Sequence, residues 1–353
     1  MTAQVLRRAW VAVGLLLCFA GPTLAQQLPR IRLVATGGTI ADNGTRRLTH
    51  VELLAAAADL PRFSRPESEQ FSNVPSGALT LGDWLRLSRR VNELLEATDL
   101  SGVVITTGTD TLEETAYFLN LTVRSPKPVV IAGAMRNPDT PGADGTANLI
   151  AAFRVAAEPA SHGQGVLVVL NERIHGARDV TKDATTGVDA FRSSPFGPLG
   201  LLDGPRVVYY RRSLRRHTAS SEFDVSGVGS VPRVDVFLTY QDSPGDLLRA
   251  AVDLGARGLV VAGAGAGATS GTQEAGIRYA LERGVVVVMS SRAGSGRVAP
   301  EPDAVDPSPA PAARLMLPVV ADDLSPLKAR VLLMLALTRT RDRADIQRMF
   351  LEY

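Results

Sequence analysis

The sequence is poor in cysteine, in histidine and in net charge, and each shortage excludes a class of function. Its one cysteine in 353 residues, Cys18, rules out a disulfide framework. The four histidines, His50, His162, His175 and His217, show no H-E-x-x-H spacing and no close pairing, so the sequence offers no catalytic metal site. Formal net charge is only +2, and without residues 1–25, which hold Arg7 and Arg8 and no acid, basic and acidic side chains balance at 36 each. A neutral body carries no electrostatic footprint for nucleic acid. Walker A and G-x-S-x-G motifs are missing, and no run after residue 25 reaches the roughly eighteen apolar residues that a membrane span needs.

The first residues read as an address. Arg7 and Arg8 precede an apolar run, Ala9 to Ala20, and then Thr23-Leu24-Ala25. A basic start, a short apolar centre and small residues before a cut describe a secretory signal peptide over residues 1–25. A retained anchor helix is the alternative, for which the run is short. Cys18 lies inside this segment behind Leu15-Leu16-Leu17, which argues against lipid attachment. Its removal leaves no thiol for catalysis, metal binding or cross-linking. The expectation is an exported chain, periplasmic or secreted, with no membrane contact after cleavage.

What is present is an alternation of strands and helices. Short β-branched runs at 31–35, 103–107, 129–132 and 166–170 are separated by helix-like stretches at 81–97, 111–120 and 146–157. The theme returns with runs at 234–238, 259–262 and 285–289, helices at 244–254 and 272–283, and two last helices at 327–338 and 343–353. Continuous apolar strands separated by helices predict an α/β fold with a mostly parallel sheet covered on both faces. The basic stretch 211–217 and the polar 218–230 interrupt the pattern once. The sequence therefore predicts a larger amino-terminal catalytic α/β domain over 26–212, a linker over 213–232 and a smaller carboxy-terminal α/β domain over 233–353. Residues 299–313, with five prolines, read as a surface loop.

In open parallel sheets, ligands bind where strand ends meet helix starts. Two polar loops sit at such places: Thr36-Gly37-Gly38-Thr39-Ile40-Ala41 and Thr107-Gly108-Thr109-Asp110-Thr111-Leu112-Glu113-Glu114-Thr115. Gly38 and Gly108 allow close approach of a substrate and free backbone N–H groups for an oxyanion. Thr39 and Thr109 offer hydroxyls, and Asp110 a fixed negative charge for an ammonium. The alternative is that Thr109, Asp110 or Thr111 caps the next helix, with Glu113 and Glu114 favourable in its first turn.

With these loops the chain resembles the bacterial L-asparaginase/glutaminase family, particularly its exported branch. The resemblance continues through Ala132-Gly133-Ala134-Met135-Arg136, Arg178-Asp179-Val180-Thr181-Lys182, Phe196-Gly197-Pro198-Leu199-Gly200 and Lys328-Ala329-Arg330-Val331-Leu332-Leu333. It implies hydrolysis of the side-chain amide of L-asparagine, with L-glutamine as second candidate, in asparagine catabolism and without a cofactor. Matched position by position, Thr39 is the primary nucleophile. Thr109, Lys182 and Asp110 form a second catalytic group, in which the lysine takes a proton from the threonine. Ser76, in Asn73-Val74-Pro75-Ser76-Gly77, takes the substrate α-carboxylate and Asp110 its α-ammonium, with Gly77 and Thr109 beside them. The resemblance also implies a homo-oligomer, a tetramer of close dimers.

There are departures. The family's lid tyrosine has no counterpart, since none of the six tyrosines lies between Thr39 and Ser76; Thr49, His50 or a water are the replacements at hand. Gly77 stands where the family pattern has glutamine, and Ala266 and Ala268 stand where exported members have asparagines. Glu301 is the nearest match to the acid that a partner subunit lends to the site.

Rival readings fit less well. Gly263-Ala264-Gly265-Ala266-Gly267-Ala268 fits a loose G-x-G-x-x-A dinucleotide pattern, but the next strand ends Met289-Ser290-Ser291-Arg292, without the acid that would hold a ribose. Packing of a strand close to a helix is the preferred explanation of those glycines. Ser325-Pro326-Leu327-Lys328 matches S-x-x-K without the partner motifs of a β-lactamase, and Ser325 is expected to cap the helix that begins at Pro326. The reading from another class is an exported amino-acid-binding protein or a degenerate hydrolase.

Overall fold

The computed structural model describes residues 27–300 and 317–353. The signal segment with Cys18, and Glu301 with most of the proline-rich loop, lie outside the described residues. Five strands form the parallel part of the main sheet: β1 (Arg30–Gly37), β2 (Arg65–Val74), β3 (Leu100–Thr106), β4 (Val129–Ala132) and β5 (Val166–Leu170). Beyond β5 the sheet turns antiparallel through β6 (Arg173–Gly176), β9 (Gly200–Asp203) and β10 (Arg206–Tyr209). A two-stranded ribbon, β7 (Thr181–Lys182) with β8 (Phe191–Arg192), lies between them in sequence. Across the eight strands the order is β10-β9-β6-β5-β4-β3-β1-β2.

That order has one functional consequence. The chain passes from β1 outward to the edge strand β2, then back across β1 to β3 and on to β4 and β5. The connections reverse direction between β1 and β3, which is where an open α/β sheet leaves a crevice at its carboxyl edge. The two threonine loops follow β1 and β3, so both open on that crevice.

Helices α1 (His50–Ala56) and α4 (Gly145–Ala157) cover one face with Ile31, Leu33, Val104, Val130 and Leu167; α2 (Leu81–Glu96) and α3 (Leu112–Thr122) cover the other with Val34, Val103, Ile105 and Val168. Alternate residues of one strand feed opposite cores because side chains on a strand alternate in direction.

The second sheet, β11 (Val234–Leu238), β12 (Gly258–Gly263), β13 (Val286–Ser291) and β14 (Val319–Val320), is wholly parallel. Helices α5 (Asp246–Asp253) and α6 (Gln273–Glu282) pack one face; α7 (Pro326–Ala336) packs the other and also lies on α3. The core beneath α3 therefore continues into the smaller lobe through Ala329, Leu332, Leu333 and Phe350, the last on α8 (Arg343–Glu352). The intervening segment is packed as well: Phe223 and Val225 are buried, Ser221 bonds the Leu121 carbonyl, and Glu222 meets Arg216, Arg339 and Arg348.

Two local expectations are corrected. Ser325 does precede α7, with Pro326 at the helix's first position, but its hydroxyl makes no capping bond and is buried without a partner among the described residues. Gly263–Ala268 does not pack strand against helix. The turn closes on itself through the Ala264–Ala268 bridge, a Cβ on Gly263 would meet the Gly267 carbonyl carbon at 2.5 Å, and α6 begins only at Gln273. The helix that follows starts five residues beyond the loop and not on its last glycine, as the dinucleotide pattern requires, so that reading loses its physical basis.

Candidate active site

The two threonine loops are locked together by their glycines. Gly38 has φ of 85°, a conformation that costs a side-chain-bearing residue free energy. A Cβ there would also run into the Gly108 backbone, while one on Gly37 would sit 2.5 Å from Val74 N. A Cβ on Gly108 would meet Ser76 N and Oγ at 2.9 Å, so the Ser76 turn presses on the same junction. From below, a Cβ on Gly133 would touch Thr107 O at 2.9 Å and Thr109 Cγ2 at 3.1 Å, which gives the Gly133-Ala134 match a packing reason. Thr36 Oγ1 donates to Thr106 O at 2.9 Å and ties the two strand ends to each other.

Within this frame Lys182 Nζ donates to Thr109 Oγ1 at 3.0 Å and pairs with Asp110 Oδ1 at 2.6 Å. Thr109 is buried, Lys182 is partly buried, and the Asp110 side chain is 81% exposed, which leaves it acceptor capacity toward the crevice. Ser76, itself buried, accepts from Thr111 N at 3.3 Å, while Gly77 is exposed with open space where a side chain would go. Thr39 opens the short turn Thr39–Ala41 beside the buried Ile40, is itself half-buried, and has no side-chain hydrogen bond among the described residues.

Helix capping does not explain the second loop. Thr111 is the residue before α3 and makes no side-chain cap bond, and Thr109 and Asp110 are engaged by Lys182. The acids of the first turn are committed elsewhere: Glu113 accepts from Thr181 Oγ1 at 2.9 and 2.8 Å and from Lys182 N at 3.3 Å, and Glu114 lies 3.5 Å from Arg330. Burial raises the Glu114 pKa against the opposing charge of Arg330.

One expected oxyanion donor is corrected. The Gly38 N–H donates to Val74 O at 3.0 Å and is not free for an oxyanion. Gly108 N has no protein acceptor among the described residues. Thr49 and His50 are also spoken for. Thr49 forms a capping box with Glu52 at the start of α1, and His50 Nδ1 shares a 2.8 Å hydrogen bond with Ser68 Oγ on β2. Arg47, which no motif singles out, donates to the Gly38 carbonyl at 3.2 Å and lies 3.4 Å from Asp42. Among the described residues no cluster of His, Cys, Asp or Glu is placed to hold a metal ion.

Similarity to known proteins extends over nearly the whole chain. Residues 30–215 match the family described as "Asparaginase, N-terminal", and residues 233–350 the "Glutaminase/Asparaginase C-terminal domain". The chain is 42% identical over 339 residues to "L-asparaginase 2" of Bacillus subtilis, covering 93% of this chain and 88% of that protein. It is 39% identical to the "Probable L-asparaginase periplasmic" of Haemophilus influenzae, covering 93% and 94%. Among solved structures, the probable cytoplasmic L-asparaginase of Campylobacter jejuni superposes with a TM-score of 0.85 at 39% identity, covering 92% of this chain and all of that one.

Proposed function

The chain belongs to the asparaginase family, and from that premise we propose how its own residues carry the reaction. It is an L-asparaginase, an amidohydrolase that converts L-asparagine to L-aspartate and ammonia. Ser76 and Asp110 bind the substrate's α-carboxylate and α-ammonium at the mouth of the crevice, beside the exposed Gly77. That leaves the side-chain amide between the two threonine loops. Thr39 attacks the amide carbon, and as the C–O bond forms its hydroxyl proton passes, by way of water, to the amide nitrogen. The Gly108 amide and the leading amide of the Thr39–Ala41 turn donate to the oxyanion. Collapse of the tetrahedral intermediate breaks the C–N bond, the leaving nitrogen departs protonated as ammonia, and water then hydrolyses the threonyl ester to aspartate.

Lys182 is the proton-handling group for Thr109, and the observation that carries this assignment is its 3.0 Å contact with the Thr109 hydroxyl, braced by Asp110 at 2.6 Å. A protein that only held an amino acid would have no use for a lysine hydrogen-bonded to a buried threonine. L-Glutamine is the secondary substrate, since the family's carboxy-terminal unit is shared by glutaminases. The leader over 1–25 sends the chain to the periplasm or beyond, as the Haemophilus relative's name supports, and the assembly is a homotetramer whose size light scattering after gel filtration reads directly.

The test is ammonia release from L-asparagine and L-glutamine by the mature chain and by Thr39→Ala, Thr109→Val and Lys182→Met. Loss of a catalytic group acting in concert costs about a thousandfold or more in kcat. Full turnover by Thr39→Ala would overturn the assignment of the nucleophile, and full turnover by Lys182→Met that of the base.

A further inference from the structure

Lys328 lies on α7, in the smaller lobe, yet its side chain ends inside the larger one. It is 2% exposed. Its ammonium donates to the carbonyls of Arg178, at 2.8 Å, and Val180, and faces Glu113 Oε2 at 3.8 Å. Those partners border the reacting group. Arg178 and Val180 precede Lys182 by four and two residues, and Glu113 follows Asp110 by three on the first turn of α3. Glu113 in turn receives the Thr181 hydroxyl through both oxygens and the Lys182 amide.

An ammonium this deeply placed is held at a cost. Burial lowers the Lys328 pKa to about 8, against the pull of the Glu113 and Asp179 carboxylates and with Arg178 adding to the fall. Leucine or methionine would serve the core better if packing were the only requirement. What a lysine supplies is three directed donors. Here they grip the backbone on one side of Lys182 and the carboxylate that grips it on the other.

We propose that Lys328 is a positioning residue for the hydrolysis: through the Arg178 and Val180 carbonyls and through Glu113 it fixes the 178–182 segment so that Lys182 Nζ meets Thr109 Oγ1. The inference rests on the reading of Lys182 given above and extends it to a residue from the other lobe. Lys328 bonds none of Thr109, Ser76 and Asp110, so its effect belongs to the chemical step and not to binding by Ser76 or Asp110.

The experiment compares wild type, Lys328→Met, the double variant Lys328→Met/Glu113→Gln, and Lys182→Met, reading kcat and KM for L-asparagine beside thermal midpoints. Lys328→Met leaves Glu113 buried and unpaired, so it loses both stability and turnover. The double variant leaves no unpaired buried charge and regains most of the midpoint. Its kcat stays depressed by about ten- to a hundredfold with KM within about twofold, the scale expected of a misplaced catalytic group. A second arm avoids buried charge altogether: Thr181→Val lowers kcat and Thr181→Ser, which keeps the hydroxyl, restores it. Return of kcat together with the midpoint in the double variant would make Lys328 a structural residue only and overturn the proposal. Should Lys328→Met not fold, the double variant and the Thr181 pair decide. Undiminished turnover by Lys182→Met would instead refute the reading beneath it, and the two failures are thereby told apart.

Discussion

The Gly108 backbone fills the space that a Cβ on Gly38 would need, and that junction sets the separation of the Thr39 and Thr109 loops. Gly38→Ala forces a side chain into the Gly108 backbone at φ of 85°. Strain and overpacking together cost roughly 2–4 kcal/mol. The expected result is a lower thermal midpoint with kcat falling more than KM rises, because the threonines move apart while Ser76 and Asp110 keep their own anchors. An unchanged midpoint would show that the two loops do not depend on each other.

Gly77→Gln tests the crevice from the opposite direction. The position is exposed, and a Cβ there meets nothing within 4 Å, so the substitution is free of clash. A glutamine beside Ser76 adds a donor and an acceptor for the substrate's α-groups. One added hydrogen bond of about 1 kcal/mol lowers KM for L-asparagine roughly fivefold at constant kcat. A KM that does not fall would place the α-groups elsewhere than beside Ser76.

Acid stability follows first from His175. The ring is buried, its Nδ1 shares a 2.8 Å hydrogen bond with Ser193 Oγ, and its Nε2 has no partner. Burial, with the charges of Arg173 and Lys328, lowers its pKa from 6.5 to about 4. Between those values the unfolded chain takes up a proton that the folded one refuses, so stability is full above about pH 6.5 and falls as the pH drops toward 4. At about 1.4 kcal/mol per unit the loss is on the order of 3 kcal/mol. Thermal midpoints of wild type and His175→Gln across that range check it: the variant's midpoint is lower at neutral pH but its acid slope is flatter, and parallel slopes would contradict the assignment.

A second acid limb lies lower. Arg178 is buried, donates to Asp323 Oδ1 at 2.6 Å and Oδ2 at 3.2 Å, and reaches the Tyr353 carbonyl at 3.0 Å. Burial pushes the Asp323 pKa up, but the bond and charge of Arg178 outweigh it and hold the group below its ordinary 3.8. Its contribution is present above the unfolded value and fades as the pH falls through the folded one. Asp323→Asn removes the closer of the two carboxylates on the buried Arg178 and leaves only Asp179, a loss of up to about 3–5 kcal/mol, and unfolding in urea at neutral pH measures it. A difference below about 1 kcal/mol would mean that the arginine repacks toward Asp179, 3.4 Å away.

Much of the fold is legible because β1, β3, β4 and β5 are mainly apolar runs, rich in β-branched residues, that a doubly covered sheet explains. β2 is not, because Arg65–Val74 is an edge strand of charges with Pro66 inside it; its Glu67 and Glu69 pair with Arg30, Arg32 and Arg90, and an edge needs no apolar face. The short antiparallel strands escape notice for want of length. At the site, Thr39, Thr109, Asp110 and Lys182 are visible as hydroxyls, acid and amine around glycines. Glu113 reads from sequence as one of two acids favourable at a helix start, which masks its bonds to Thr181 and Lys182. Lys328 reads as a residue of a helix in another lobe. Nothing local to either marks their meeting, since both depend on how α7 lies across α3.

Arg178 and Tyr353 are 175 residues apart in the chain, and Tyr353 is among the best buried side chains, its ring against Phe223 and its hydroxyl accepting from Glu222 N at 2.8 Å. The large lobe is thus fastened by a segment that is made well after all of its own strands. A nascent chain halted before Pro326 can pair every strand of the large sheet and close the Gly38–Gly108 junction. It still lacks the ammonium and the carbonyl that grip the segment leading to Lys182, so under the arrangement proposed for Lys328 the lysine is seated only once α7 and α8 have been made.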